Sequence, residues 1–183
     1  AALSALTRLK SVTLAGNPCC FDVNVAGSSG GGRGGGRGGG GGDDGDGASG
    51  ALSFGACSTD VLMHMSRAET SRRVKGEAYD RMATLCQHIL SQRSFYPLLP
   101  PDPDALLCVN HEANLALPPS PPHFVVLSSV LQPFVKVVNG VVFVNSGTVA
   151  KGSSGGTYAR ITVHPTDAPA PVAERARVDV VKI

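Results

Sequence analysis

Apolar and polar residues alternate near the start of the sequence, and this pattern predicts paired β-strands. The alternating residues are Phe21, Asp22, Val23, Asn24 and Val25. A period of two is typical of a half-buried strand. Residues 52–57 have the composition of the returning partner strand, and residues 11–15 indicate one further short strand.

A helical period of apolar residues marks the middle of the chain. The apolar positions are Tyr79, Met82, Leu85, Cys86, Ile89 and Leu90. Their spacing predicts an amphipathic helix that packs on a sheet or core. The helix must end before Pro97, because the residue that precedes a proline is pushed out of the helical region. Residues 98–122 are proline-rich and predict a long surface connection, with one short strand at residues 106–109.

The C-terminal part of the sequence predicts mainly strands. Residues 124–127 form a continuous apolar run, which suits a strand buried on both faces. Asn139-Gly140 stands between two β-branched runs and predicts a type I′ hairpin turn. Further strands are expected at residues 157–163 and 177–183, with a loop at residues 165–171 between them. The predicted fold class is therefore α/β with a β-rich C-terminal half.

Residues 27–50 have a composition that does not support folding. They hold 15 of the 23 glycines and no residue larger than Arg. Such a segment buries too little apolar surface to offset its backbone entropy, so we expect a disordered loop. It would be an insertion at the tip of the first hairpin, where extra length costs little. A tolerated low-complexity expansion is favoured over an RNA-binding arm, because the tract contains only Arg33 and Arg37 as basic residues.

Charge gives no indication of nucleic-acid binding. The formal net charge is +2, and the 16 Lys and Arg residues are scattered along the chain. Their one local concentration is Arg67, Arg72, Arg73, Lys75 and Arg81. A solvated surface is favoured for it over a phosphate-binding patch.

The cysteines and the apolar runs indicate a soluble intracellular protein. The five cysteines include no Cys-x-x-Cys pair, which favours free thiols in a reducing compartment. No apolar run reaches the length of a membrane span, and no signal peptide is recognised. The sequence begins at Ala1 within what reads as a structured region, and we interpret the chain as a fragment.

Asn110-His111-Glu112 is the triplet that most resembles catalytic machinery. Metallophosphoesterases use a Gly-Asn-His-(Asp/Glu) motif beside a two-metal centre. Here Val109 stands in place of the glycine, and the chain contains no Asp-x-His and no Gly-His-x-His. Residues 151–156 are glycine-rich without the ending of a phosphate-binding loop, so a flexible loop is favoured there. The residues therefore predict no catalytic site, no metal site and no cofactor.

Short blocks spread over nearly the whole chain carry a family resemblance. Two of them are Ser58-Thr59-Asp60-Val61-Leu62-Met63-His64 and Gln87-His88-Ile89-Leu90-Ser91-Gln92-Arg93-Ser94-Phe95-Tyr96-Pro97-Leu98. The others lie at residues 16–19, 80–82, 124–127, 134–136, 144–148, 151–152 and 155–160. In this order they resemble the B-subunit family of the replicative DNA polymerases. The block at residues 87–98 favours the polymerase alpha branch over the delta or epsilon B subunits.

The resemblance implies a particular fold, and this sequence departs from the family pattern at several positions. Residues 1–183 would be the C-terminal part of a calcineurin-like phosphoesterase domain, a β-sandwich flanked by helices, with the N-terminal half absent and residues 27–50 as a Gly-rich disordered insertion. It also implies a helix-like step at residues 134–136. Ser146 replaces the proline that the family carries at that position. In active relatives metal-binding histidines follow the strand equivalent to residues 124–127, whereas residues 128–133 here offer no imidazole or carboxylate.

The function implied by the resemblance is that of a non-catalytic accessory subunit in the nucleus. It would bind the zinc-binding C-terminal region of the catalytic subunit of DNA polymerase alpha and would reach primase through the same complex. It would contact DNA at most indirectly and would not bind a membrane. The alternative is an active metal-dependent phosphoesterase, with Asn110 and His111 as late ligands and the others in a missing N-terminal part.

Five residues are candidates for a partner interface or for a structural role. They are Arg93, Phe95, Tyr96, Pro97 and Leu98. Aromatic residues and Arg dominate the binding energy of interfaces, which makes partner contact a reasonable hypothesis. The favoured interpretation is that the aromatic and aliphatic members fix the end of the helix to the core.

Overall fold

A mixed β-sheet lies at the centre of the fold in a computed structural model, which describes residues 13–24, 51–70, 79–165 and 170–183. Its five strands are β1 Cys19–Asn24, β2 Ala51–Cys57, β3 Phe124–Leu127, β4 Phe134–Val138 and β5 Val141–Asn145. They are arranged in the order β1-β2-β3-β5-β4. The inner strands β2, β3 and β5 run parallel, and β1 and β4 add antiparallel edges.

Two helices cover one face of this sheet. They are α1, Val61–Ala68, and α2, Arg81–Ser91. Val125 and Phe143 from the sheet belong to the same buried cluster as Leu62 and Ile89 from the helices, and all four are at most 1% exposed. A 3₁₀ helix, Val109–Leu115, follows α2 after the proline-rich connection.

A two-stranded antiparallel sheet covers the other face. It consists of β8, Thr157–Val163, and β9, Ala176–Lys182. Phe124, Val142 and Val144 form a second buried cluster with residues of these two strands. The remaining elements are the short strands β6 Ala150–Lys151 and β7 Ser154–Gly155, and the single-turn helix α3 Val172–Arg175. Alternate residues of β3 thus face the helices and the second sheet.

Most of the predicted strands are present. β1 and β2 form the predicted hairpin, and their last pair, Asn24 and Ala51, brackets the glycine tract. β3 is buried on both faces as predicted, because both of its faces are covered. Asn139 and Gly140 adopt φ values of 50° and 79°, as a type I′ turn requires. The prediction that residues 27–50 are disordered lies outside the described residues, as do residues 11 and 12 of the first predicted strand.

Burial of β1 was predicted wrongly. Its pattern suggested a half-buried strand, but Phe21 is 47% exposed and Val23 is 44% exposed. β1 is an edge strand, and Phe21 is stacked on Phe54 of β2 at 5.5 Å between ring centroids. Its apolar face therefore extends the sheet beyond the part that the β8–β9 layer covers.

The strand predicted at residues 106–109 was wrong. The backbone N–H groups of Ala105 and Leu107 donate to Asp102 and Ala105 within local turns, and the 3₁₀ helix begins at Val109. These donors are therefore satisfied within the segment, not by a neighbouring strand. The strand predicted at residues 13–15 is likewise absent from the described part of the chain.

Two further expectations near the C-terminus need correction, and one short helix was not predicted. Residues 134–136 belong to β4 and form no helix-like step, because the Asn139-Gly140 turn pairs them with β5. The loop expected at residues 151–156 contains the small β6–β7 hairpin. The helix that was not predicted is α3, Val172–Arg175, which lies between the loop expected at residues 165–171 and β9.

Candidate functional site

The C-terminal end of α2 is closed by a Schellman motif centred on Arg93. The Arg93 N–H donates to the Leu90 carbonyl at 3.1 Å, and the Ser94 N–H donates to the Ile89 carbonyl at 3.2 Å. Arg93 adopts φ 49°, the left-handed conformation that this motif requires. Glycine usually occupies the position, because a Cβ atom there costs about 1 kcal/mol. The left-handed conformation of Arg93 therefore costs conformational energy that a glycine would avoid.

The segment that follows Arg93 is held by backbone pairing. The Phe95 N–H donates to the Leu115 carbonyl at 2.8 Å, and the Leu117 N–H donates to the Arg93 carbonyl at 2.9 Å. These bonds fix the backbone on both sides of Ser94, which forms an isolated bridge with Ala116. The Arg93 side chain is exposed at the end of this pairing.

Phe95 and Tyr96 lie in the core. Phe95 is 1% exposed, and its ring lies against Gly55 of β2, where an added Cβ would be 2.9 Å from the Phe95 Cζ atom. Tyr96 is 5% exposed. Pro97 and Leu98 are half-buried, and Leu98 packs against the same cluster. Four of the five candidate residues are therefore wholly or partly covered, and Arg93 is the exposed one.

Tyr96 is the centre of a polar network beneath α1. Its hydroxyl lies 3.0 Å from Nδ1 of the buried His64 and accepts the Asp102 N–H at 3.1 Å. Burial raises the pKa of the Tyr96 hydroxyl above its ordinary value. Arg67 continues the network to Asp104 at 2.9 Å. His64 is thus a packed side chain.

Asp60 joins α1 to the loop after β3. Its Oδ1 atom accepts the Met63 N–H at 3.0 Å and caps the helix, while its Oδ2 atom accepts the Val130 N–H at 2.9 Å. A carboxylate that precedes an apolar run is a recognisable helix N-cap. The sequence reasoning missed this role and missed α1, although the N-cap signal is present in the Ser-Thr-Asp block.

The loop after β3 is held by structural hydrogen bonds. Ser129 is buried, and its hydroxyl accepts the Leu131 N–H at 3.1 Å. Asn145 is fully buried, and its amide donates to the carbonyls of Leu131 and Gln132 at 3.2 and 3.3 Å. These side chains therefore hold the backbone of the loop after β3 in place. Residues 128–133 supply no imidazole or carboxylate to a metal ion.

The triplet Asn110-His111-Glu112 lies on the surface. All three residues are exposed in the 3₁₀ helix. Within the described ranges, no group of three His, Cys, Asp or Glu side chains is arranged to hold a metal ion. His123 has a structural contact, since its Nδ1 accepts the Ser53 N–H at 3.0 Å.

Two further observations concern the cysteines and the helices of the described residues. Cys19, Cys20, Cys57, Cys86 and Cys108 are all free thiols. No helix in the described ranges is both long enough and apolar enough to cross a membrane.

Comparison with known proteins gives one family. Residues 49–136 match the model that describes the B subunit of DNA polymerases alpha and epsilon. The chain is 40% identical over 108 residues to the DNA polymerase alpha B subunit of Mus musculus, which covers 59% of this chain and 18% of that protein. It is 33% identical over 133 residues to the protein of the same name from Caenorhabditis elegans, covering 69% of this chain and 22% of that protein.

A third relative extends the same similarity to a fungus. The DNA polymerase alpha B subunit of Schizosaccharomyces pombe is 35% identical over 121 residues, which covers 62% of this chain and 20% of that protein. The matched part of the chain thus spans about a fifth of the length of these curated relatives.

Proposed function

We propose that this chain, which belongs to the B-subunit family of DNA polymerases alpha and epsilon, is part of a non-catalytic accessory subunit of DNA polymerase alpha. Its contribution is to bind other subunits. The observation that carries the proposal is the loop after β3, where the polar groups of Asp60, Ser129 and Asn145 form hydrogen bonds with backbone groups.

The proposed partners follow from the names of the relatives. Each of the three proteins is named as the B subunit of DNA polymerase alpha, and a subunit of that name is one member of a multi-subunit enzyme. We propose that the catalytic subunit is contacted through its C-terminal region, that primase is reached through the same complex, and that DNA is contacted at most indirectly. The location would be the nucleus.

The proposed fold family is a calcineurin-like phosphoesterase domain that has lost its chemistry. The layered arrangement supports it, since helices cover one face of the central sheet and β8–β9 covers the other. The polar side chains of Ser129 and Asn145 support the loss of chemistry, because both form hydrogen bonds with backbone groups near the end of β3.

Association is the direct test of the accessory role. The full-length protein would be co-expressed with the catalytic subunit of DNA polymerase alpha and purified through a tag on the catalytic subunit. A stoichiometric complex that survives gel filtration is the expected result. Absence of any complex under conditions in which both proteins are folded would overturn the proposal.

The competing function is that of an active phosphoesterase. It would make His111 a metal ligand and would require the remaining ligands outside the described residues. Exposure of the Asn110-His111-Glu112 triplet weighs against it. The B subunit of another replicative polymerase is a second competitor, and co-expression with the catalytic subunits of polymerases delta and epsilon would separate it from the proposal.

A further inference from the structure

A surface with exposed apolar side chains lies where the β6–β7 hairpin meets the end of the β8–β9 sheet. The Gly156 N–H donates to the Val149 carbonyl at 2.8 Å, and the Ile183 N–H donates to the Gly156 carbonyl at 2.9 Å. These bonds bring Val149 and Ile183 next to Gly156, with side chains that are 68% and 60% exposed, and Tyr158 nearby is 38% exposed. We call this region the hairpin-end surface; it consists of Val149, Lys151, Tyr158, Arg160, Lys182 and Ile183.

The fold brings together basic residues of this surface that lie apart in the sequence. Lys151 pairs with Ser154 in the hairpin, and Lys182 pairs with Thr157 at the end of the β8–β9 sheet. Because Ser154 and Thr157 are close together on one continuous segment, both lysines lie at the same end of this sheet. Arg160 follows on β8, and all three basic side chains are exposed. Charge that is scattered along the sequence is therefore concentrated here.

The three basic side chains have no acidic partner. Among the residues that the structure describes, none of the three takes part in an ion pair. Arg160 donates to the uncharged Tyr158 hydroxyl at 3.2 Å. Asp179 is opposite Arg160 in the register, but its carboxylate accepts from Arg177 at 3.0 Å. Since residues 113–166 contain no Asp or Glu, the surface carries a net positive charge.

Exposed basic and aromatic side chains together match single-stranded nucleic acid. Such a ligand is held by cationic groups along its phosphate backbone and by aromatic rings on which its bases stack. Tyr158 and Arg160 lie on the outer face of β8, since the intervening Ala159 packs inward against the central sheet. An unpaired base can stack on the tyrosine ring, whereas a base inside a duplex cannot. Val149 and Ile183 add apolar surface at the same end of the sheet.

We propose that the hairpin-end surface binds single-stranded DNA, with phosphates on Lys151, Arg160 and Lys182 and a base stacked on Tyr158. The charge of this ligand follows from its phosphodiester backbone and complements the charge of the surface. The proposal goes beyond the accessory function, which requires no contact with nucleic acid. Direct contact here would replace the indirect contact with DNA proposed above, so one experiment decides between them.

The test measures the affinity of the full-length protein for a fluorescein-labelled oligo-dT strand by fluorescence anisotropy at several salt concentrations. Tyr158→Ala removes the stacking ring and should weaken binding about tenfold. A triple variant replaces Lys151, Arg160 and Lys182 by Gln. It should reduce the magnitude of the slope of log affinity against log salt by about 2, since each phosphate contact on a single strand contributes about 0.7.

Two further variants are matched controls. Tyr158→Phe keeps the ring and loses only the hydroxyl, so it should keep the wild-type affinity. Arg67→Gln removes an exposed charge from α1, in the helix layer on the opposite face of the central sheet. It should leave both the affinity and the salt slope unchanged. A wild-type melting temperature for each variant confirms that the protein is folded.

Each alternative gives a distinct result. Failure of the wild-type protein to bind oligo-dT at low salt would overturn the proposal, as would equal binding by the wild type, Tyr158→Ala and the triple variant. A duplex that binds as tightly as the single strand would contradict stacking on Tyr158. Competition by polyglutamate as effective as that by unlabelled oligo-dT would identify an acidic protein segment as the ligand instead. Tighter binding of an oligo-U RNA strand would contradict the assignment to DNA.

Photo-cross-linking provides a second measurement. An oligo-dT strand that carries 5-iododeoxyuridine should cross-link to Tyr158, because this base reacts with an aromatic ring on which it is stacked. Cross-links confined to residues outside 149–183 would overturn the proposal. None of these results depends on complex formation with the catalytic subunit, so their failure would leave the accessory function standing.

Discussion

Gly55 shows how one residue positions the candidate site. It lies in the middle of β2, and the absence of a Cβ lets the Phe95 ring lie on the strand backbone. The ring in turn holds the segment that carries Arg93 and Tyr96. The helix before this segment could be predicted from its apolar period, but a single glycine inside a strand does not reveal which ring fills its space.

Gly55→Ala should destabilise the protein by about 1–3 kcal/mol, the usual cost of overpacking a core. The new Cβ would lie 2.9 Å from the Phe95 Cζ atom and 3.2 Å from Pro122. Urea unfolding of the variant measures the loss. Gly16→Ala is the control, because its new Cβ would meet no atom closer than 3.7 Å. Equal stability of the two variants would contradict the packing described here.

The cysteines differ in reactivity because they differ in burial. Burial raises the pKa of the Cys86 thiol to about 12, and it also raises the pKa of Cys57. At pH 8 we therefore expect alkylation of the exposed Cys108 and protection of Cys86 until the protein unfolds. Mass-spectrometric mapping of the labelled residues checks this. Labelling of Cys86 at the rate of Cys108 in the native state would contradict its burial.

The same shift has a consequence for stability. A thiol whose pKa is higher in the folded state favours folding while it stays protonated. Its contribution is complete below the unfolded pKa near 9 and is lost as the pH rises toward about 12. Cys86→Ser should therefore flatten the fall in stability over this alkaline range.

At the scale of elements, hydrogen bonds fix both ends of α2, from a side chain at the N-terminus and from the backbone at the C-terminus. The sequence indicates these interactions only in part. Asp80 caps its N-terminus through the Ala83 N–H at 3.1 Å and pairs with Lys136 of β4 at 2.6 Å. The apolar period predicted the helix itself. α1 was not predicted, because eight residues are too few to show a clear helical period.

Asp80→Ala should lower the free energy of unfolding by about 1 kcal/mol, which is typical for the loss of an N-cap. Asp80→Asn should lose less, since an amide oxygen can still accept the Ala83 N–H. The ion pair adds little, because both partners are more than a third exposed. Urea unfolding of both variants at pH 7 is the measurement, and an Asn variant as unstable as the Ala variant would contradict the capping role.

The pH dependence of this cap has a definite sign. The hydrogen bond from Lys136, with a further one from Ala83, lowers the pKa of Asp80 below its ordinary value. The stabilisation is therefore present above the unfolded pKa of 3.8 and is lost as the pH falls through the lower folded pKa. The difference between wild-type protein and Asp80→Ala should accordingly shrink as the pH falls below 3.8 and through the lower folded pKa.

At the scale of the whole molecule, the sheet has both faces covered along its inner strands and an exposed edge at β1. The strand pattern predicted β3 and the β4–β5 hairpin, because burial on two faces and an Asn-Gly turn are local signals. Exposure of β1 could not be predicted, since alternation shows which face is apolar and not whether another layer covers it. The connection at residues 98–122 was predicted as irregular, but its 3₁₀ helix was not.

The candidate site could be predicted only in its location. The block at residues 87–98 indicated where the site would lie, and Phe95 and Tyr96 of this block lie in the core. Arg93 differs from the other four candidate residues because its side chain is exposed, and its position depends on a left-handed backbone conformation. The residue type in the sequence did not reveal that conformation. Partner contact by any of the five candidate residues stays a prediction.

The central proposal is that this protein contributes binding and no chemistry to DNA polymerase alpha. The most direct test is a manganese-dependent phosphodiesterase assay on the full-length protein in complex with the catalytic subunit, for wild type and for His111→Ala. We predict that the two samples will be indistinguishable from each other and from a metal-free control. Manganese-dependent turnover that His111→Ala abolishes would contradict the account and would make the Asn110-His111-Glu112 triplet a catalytic site.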